Sequence, residues 1–427
     1  MASTLLLSEV FPPKTGGSGR WFWEIYRRLP RSEIMVAAGE DPRQKQFDSS
    51  HDLRLTRLPL SFSTWGIASA SGLRQYVGLA RRLRRLIKDN HIQQLHCGKC
   101  LPEGFLAWLL KRFCGIPYVV YVHGEEMNLA TTSRELSWMT RRVLWGADYV
   151  IANSRNSCRI LREGWELPEQ RIRLLHPGVD TEWFQPAPYS DVARANLGWG
   201  QRPVILTVGR LQKRKGQDHL ILALKQIKLA FPDILYVIMG DGEERANLDK
   251  LVASENLQEH VQFLGEADDV KLLQAYQQCD LFVLPNRQVG NDIEGFGMVL
   301  LEAQACGKAV LAGASGGTAE TMRIPQTGRV VCCDDPPVLA NAIVELMGDR
   351  EGLNEMGQAA REWVEDKFDW KVMAEEAQRL FNYSANRPIL RVCLRSWHSG
   401  GRGSRRAGFA AASGSAGASP SPSRTDS

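Results

Sequence analysis

The chain has 427 residues, 44% of them hydrophobic and 24% charged, with a net charge of +5. That length exceeds what one core ordinarily serves, so two folded domains are expected, and no apolar run approaches the ~18 residues of a bilayer-spanning helix. The nine cysteines lack the paired spacing of a disulfide framework and fit a reducing compartment, which argues against a small secreted scaffold.

The opening "MASTLLLSEVFPPK" has no basic residues before its apolar run and no small-residue cleavage site, so it reads as a first strand rather than a signal peptide. A cytoplasmic protein is the expectation. Charge is divided unevenly. Residues 1–188 carry 26 Lys and Arg against 18 Asp and Glu, while residues 189–387 carry 21 against 29. A basic first half and an acidic second half suggest that one half faces an anionic surface or substrate.

In chain order, the strand "TLLLSE" runs into Gly16 and Gly17, with a helix expected from about Ser18. Glycines at a strand-to-helix turn let backbone amides approach an anion, although such a pair is also an ordinary tight turn. "EIMVAAG" is the next strand, followed by the basic helix "LRQYVGLARRLRRLIKDN" with Arg81, Arg82, Arg84, Arg85 and Lys88. That run is either a solvated face or a surface that docks on anionic lipid headgroups. Cys97 and Cys100 in "HCGKC" have metal-ligand spacing, but no second Cys/His pair stands nearby to complete a tetrahedral site, and no metal is expected there. "YVVYVHG" is a very apolar strand that ends at His123, on the edge where α/β sites are built; "ADYVIANS" is another strand.

The polar stretch "TEWFQPAPYSDVARANLGWGQRP" is the expected domain junction, giving domains at 1–186 and 187–384. Beyond it come the strands "PVILTVG", "ILYVIMGDG", "HVQFLG", "DLFVLP" and "KAVLAG", with helices such as "QDHLILALKQIKLAF" and "VKLLQAYQQC" between them. Strand–helix alternation with β-branched runs predicts an α/β protein of two tandem doubly wound Rossmann-like domains, with ligands bound in the cleft outside the strands' carboxyl ends. Residues 385–427, rich in Gly, Ser, Ala and Arg, read as a disordered tail, and the abrupt change of composition suggests an altered reading frame.

Two further stretches carry chemistry. Arg210 and Lys215 follow a strand and precede a helix, where they can grip a diphosphate and stabilise charge developing on it, or simply form a solvated basic loop. In "DIEGFGMVLLEAQACG", a helix starting near Met298 would aim the amides of Gly295, Phe296, Gly297, Met298 and Val299 at an anion. Glu294 and Glu302 on either side then suit hydroxyl groups better than acid–base work, because an ionised carboxylate only accepts hydrogen bonds and a vicinal diol offers two donors.

"VGRLQKRKG", "VIMGDGEE", "EGFGMVLLEAQACGKAVLAGASGGTAE", "FPPKTGG", "VHGEE" and "HPGVD" together resemble family-four glycosyltransferases of the GT-B fold, over about residues 3–384. The resemblance implies a retaining transferase that moves a hexose, of mannose or glucose type, from a GDP- or UDP-hexose to a hydroxyl of a lipid-linked or glycan acceptor. It implies no metal and no cofactor. Arg210 and Lys215 would bind the donor diphosphate, Glu302 the ribose, and Glu294 with the Gly295–Val299 amides the sugar and phosphates. Gly16 and Gly17 would let the N-terminal loop close, and His123 would sit near the transferring sugar. The N-terminal domain would bind acceptor, and "WKVMAEEAQRLFNYS" would return to brace it. The "EGFGMVLLEA" and "GASGGTAE" pairing is reminiscent of bacterial mannosyltransferases acting on phosphatidylinositol and its relatives. A cytoplasmic enzyme is the expectation, peripheral on the inner membrane face if the basic helix docks there. A GT-B-fold nucleotide-sugar epimerase and a non-catalytic nucleotide-sugar-binding protein are the alternatives.

Overall fold

The computed structural model describes residues 3–62 and 64–385; the tail expected to be disordered lies almost wholly outside them. Seven strands make the first sheet: Thr4–Ser8 (β1), Ile34–Gly39 (β2), Leu55–Leu58 (β3), Gln94–Cys97 (β4), Tyr118–Val122 (β5), Val150–Ala152 (β6) and Ile172–Leu174 (β7). Six make the second: Val204–Val208 (β8), Leu235–Met239 (β9), Val261–Gly265 (β10), Leu281–Leu284 (β11), Val310–Gly313 (β12) and Gly328–Val331 (β13). All pairings between these strands are parallel, in the orders β3-β2-β1-β4-β5-β6-β7 and β10-β9-β8-β11-β12-β13. Every residue of β1, β2, β5 and β9 is buried, the signature of strands covered on both faces by helices. The two-residue strand period sorts them: Leu5 and Leu7 enter one layer of the core and Leu6 the other.

In both sheets the strand order reverses once at the centre, between β1 and β4 and between β8 and β11. Those two reversals are where crevices form at the carboxyl edge of such sheets. The chain crosses between the halves twice, and the crossings are bonded together. Val179 N–H donates to Phe368 O at 2.8 Å and Trp370 N–H to Val179 O at 3.1 Å. Phe368 packs in the core of the second half, whereas Trp370, Met373, Ala374, Ala377 and Phe381 of the Trp370–Ala385 helix pack with Trp21, Phe22, Ile25 and Tyr26 of the first.

Candidate active site at the carboxyl edges of the two sheets

Past β8 the chain makes a tight Lys213–Lys215 turn and enters the Gln217–Ala230 helix through Gly216. Gly216 has φ 75°, and a Cβ there would run into the carbonyl oxygen of Pro285, so only glycine lets this turn lie against the exit of β11. The contact is fixed by Arg287, whose guanidinium grips Asp218 with bonds of 2.6 and 2.7 Å, the bidentate geometry that makes arginine–carboxylate pairs strong.

That docking carries Lys215 to Glu294. The Lys215 ammonium lies 2.6 Å from Glu294 Oε2, and Arg214 Nη1 donates to the same oxygen at 2.6 Å. Arg214 Nε also pairs with Asp292 at 3.2 Å. Lys215, Arg214 and Glu294 are 7–8% exposed. Burial alone would raise the Glu294 carboxyl, but Lys215 and Arg214 outweigh it and hold the group below the usual carboxylate range. The turn is therefore no solvated basic loop: Arg214, to which the sequence assigned no role, is as buried as Lys215. Arg210 is exposed at the head of the turn.

After Glu294, Gly297 caps the Met298–Ala305 helix at φ 92°. Phe296 is buried and stacks on His176 at 5.2 Å, while Met298 and Val299 are partly buried. Glu302, one turn along, is 8% exposed. Tyr276 Oη donates to its Oε2 at 2.7 Å, and Arg20 of the Gly17–Tyr26 helix reaches its Oε1 at 2.9 Å from the other half of the molecule. Burial raises this carboxyl above its ordinary value, with Arg20 acting against the shift.

The first half meets this loop closely. A Cβ on Gly17 would lie 2.8 Å from Met298 Cε, and one on Gly295 would lie 2.5 Å from His123 O; Gly16 directly precedes that contact as the N-cap of the Gly17–Tyr26 helix. His123 is half-buried at the end of β5. Its Nε2 bonds Gly98 O at 2.8 Å, and Trp21 and Phe22 stand edge-on to its ring at 5.6 and 5.8 Å. Gly16, Gly17, His123, Lys215, Glu294 and the Gly295–Val299 loop therefore converge on one cleft. Glu320 also ties the halves together. It accepts the amides of Arg155 and Asn156 at 2.7 and 3.1 Å and His176 Nε2 at 3.0 Å. Burial pushes its carboxyl up, but His176 and the two amides more than offset this.

Two other groups of predicted residues stand apart from the cleft contacts. Arg81, Arg82, Arg84, Arg85 and Lys88 are exposed on the Ala70–Asp89 helix, whose Tyr76, Leu79, Leu83 and Ile87 are buried. Cys97 and Cys100 are buried thiols pushed up by burial, and among the described residues no group of three His, Cys, Asp or Glu is placed to hold a metal ion.

Two parallel α/β halves facing each other across a cleft define the GT-B class of sugar transferases. Residues 15–183 match Glycosyltransferase Family 4 and residues 190–363 match Glycosyl transferases group 1. The GDP-mannose-dependent alpha-(1-6)-phosphatidylinositol monomannoside mannosyltransferase of Mycolicibacterium smegmatis is 30% identical over 385 residues, covering 88% of this chain and 98% of the relative. Its Mycobacterium tuberculosis counterpart is 32% identical over 386 residues, covering 88% and 96%. Among solved structures, HepE of Anabaena in complex with UDP superposes with a TM-score of 0.75 at 22% identity, covering 90% of this chain and all of that one. The chain belongs to glycosyltransferase family four, with the group 1 domain as its second half.

Proposed function

We propose that the enzyme transfers mannose, with retention at the anomeric carbon, from GDP-mannose to a hydroxyl of an inositol-phospholipid acceptor. The observation that carries the proposal is the buried Lys215–Glu294–Arg214 cluster at the β8/β11 reversal, next to the Gly295 turn that lies against His123 O. The likeness to mannosyltransferases over nearly their whole length supports the choice of sugar.

In this account the donor diphosphate lies over Lys215 and Arg210, and the amides of Gly295–Val299 bind its oxygens at the helix N-terminus. Glu302 receives the ribose hydroxyls, exchanging Arg20 for them, and Glu294 holds Lys215 in place while accepting from the sugar. The acceptor oxygen forms its bond to the anomeric carbon on the face from which the diphosphate departs. The carbon–oxygen bond to phosphate breaks with its electron pair, and the acceptor proton passes to the departing phosphate oxygen. No protein nucleophile is needed, and the reaction as written requires no metal or cofactor.

The exposed cations of the Ala70–Asp89 helix, flanked by Leu73 and Val77 at 50% and 38% exposure, support docking on an anionic membrane surface at the inner face. Thermal denaturation with nucleoside diphosphates tests the donor: GDP should raise the midpoint more than equimolar UDP, because the tighter ligand stabilises more by mass action. A larger shift with UDP would contradict the GDP assignment.

A further inference from the structure

Glu302, proposed for the ribose hydroxyls, already has two partners, and they hold it in different ways. Tyr276 belongs to the Asp269–Gln278 helix of the same half and donates to Oε2 at 2.7 Å. It is wholly buried, and burial with the Glu302 charge beside it pushes the phenol well above its ordinary value, so this hydroxyl stays a donor. Arg20 takes Oε1 at 2.9 Å from the opposite half. Its guanidinium lies 5.3 Å from the Phe184 ring centroid, and its amide donates to Gly16 O at 3.1 Å, one turn from the glycine pair.

The two ends of the Arg20–Glu302 pair respond differently to parting. The Arg20 side chain is 37% exposed and the Glu302 side chain 10%. A guanidinium at that exposure regains water as it swings out. A buried carboxylate left with one phenol would carry an uncompensated charge. Arg20 therefore gives up Glu302 only to a group that donates hydrogen bonds in its place. A vicinal diol does so with two neutral donors, and a nucleotide lacking those hydroxyls does not. The exchange can be local, because Glu320 joins the halves separately through Arg155, Asn156 and His176.

We infer that Arg20 is an intramolecular competitor for the ribose position, lowering donor affinity and deciding how much of it the sugar diol contributes. The inference rests on the ribose role of Glu302 and extends it to specificity, through a residue 282 positions away in the chain.

Calorimetric titration of the full chain with GDP and with 2′,3′-dideoxy-GDP, in mildly alkaline buffer that keeps Glu302 ionised, tests the competition. Arg20→Gln should bind GDP about fivefold tighter than wild type, the weight of a partly exposed ion pair. Affinity for the dideoxy analogue, which leaves the pair in place, should change less than about twofold. A merely structural Arg20 would move both nucleotides together. In a Glu302→Gln background the gain from Arg20→Gln should vanish; melting curves check that each variant is folded. GDP binding unchanged or weakened by Arg20→Gln, equal gains for both nucleotides, or a gain that persists in Glu302→Gln would overturn the inference. The ribose role is read separately: Glu302→Gln alone should narrow the preference for GDP over the analogue. An unchanged preference there would refute that role and the competition with it, and so would a failure of GDP to bind at all.

Discussion

Glu294 and Glu302 share a charge and nearly the same burial, yet their partners set them to different work. Glu294 faces two cations of its own half and stays ionised; Glu302 faces a phenol and one arginine from the opposite half, and burial prevails. Lys215→Ala should lower kcat by about 10²–10³ by removing charge stabilisation of the leaving diphosphate; a wild-type rate in that variant would rule out the role. Glu302→Ala should raise the donor KM about tenfold while changing kcat less, and an unchanged donor KM would refute ribose binding. The spacing of Arg210, Lys215, Glu294 and Glu302 made these residues legible in the sequence. Arg20 was not, because it meets Glu302 across 282 positions of chain, and Tyr276 reads there as an ordinary core position of an amphipathic helix. Arg214 was passed over as one cation in a run of three, since only the docking of Gly216 on Pro285 reveals its burial.

The nine strands expected from apolar runs are all present, and the four others found had physical reasons to escape notice. β3, β7 and β13 lie at sheet edges and are three or four residues long, where half-buried positions break the apolar signal. β4 is central but reads "QLHC"; its buried His96 bonds Tyr26 Oη through Nδ1 at 2.6 Å, a partner invisible in a linear pattern. The Ala70–Asp89 helix was legible, since its buried positions at 76, 79, 83 and 87 follow helical periodicity. Replacing Arg81, Arg82, Arg84 and Arg85 with glutamate should abolish most binding to vesicles containing anionic lipid, at ~1 kcal/mol lost per basic residue. Co-sedimentation unchanged from wild type would remove the membrane surface from the account.

The whole molecule joins two similar halves whose sheet reversals each carry a lysine–glutamate pair, with the crossings near Val179 and Asp369 bonded to each other. Arg361 strengthens that junction by donating to Phe184 O, Ala305 O and Thr181 O at 2.6, 2.7 and 3.1 Å. Tandem α/β halves could be read from strand–helix alternation; how the Gly295 and Gly17 loops interlock could not, because close backbone approach leaves only scattered glycines as its trace. The proposed reaction transfers mannose with retention between these halves. The most direct measurement incubates the enzyme with GDP-mannose and phosphatidylinositol monomannoside and follows the anomeric proton of the product by NMR. An α-linked mannoside formed only when acceptor is present is the predicted result. A β-linked product, or an epimerised nucleotide sugar appearing without acceptor, would contradict it.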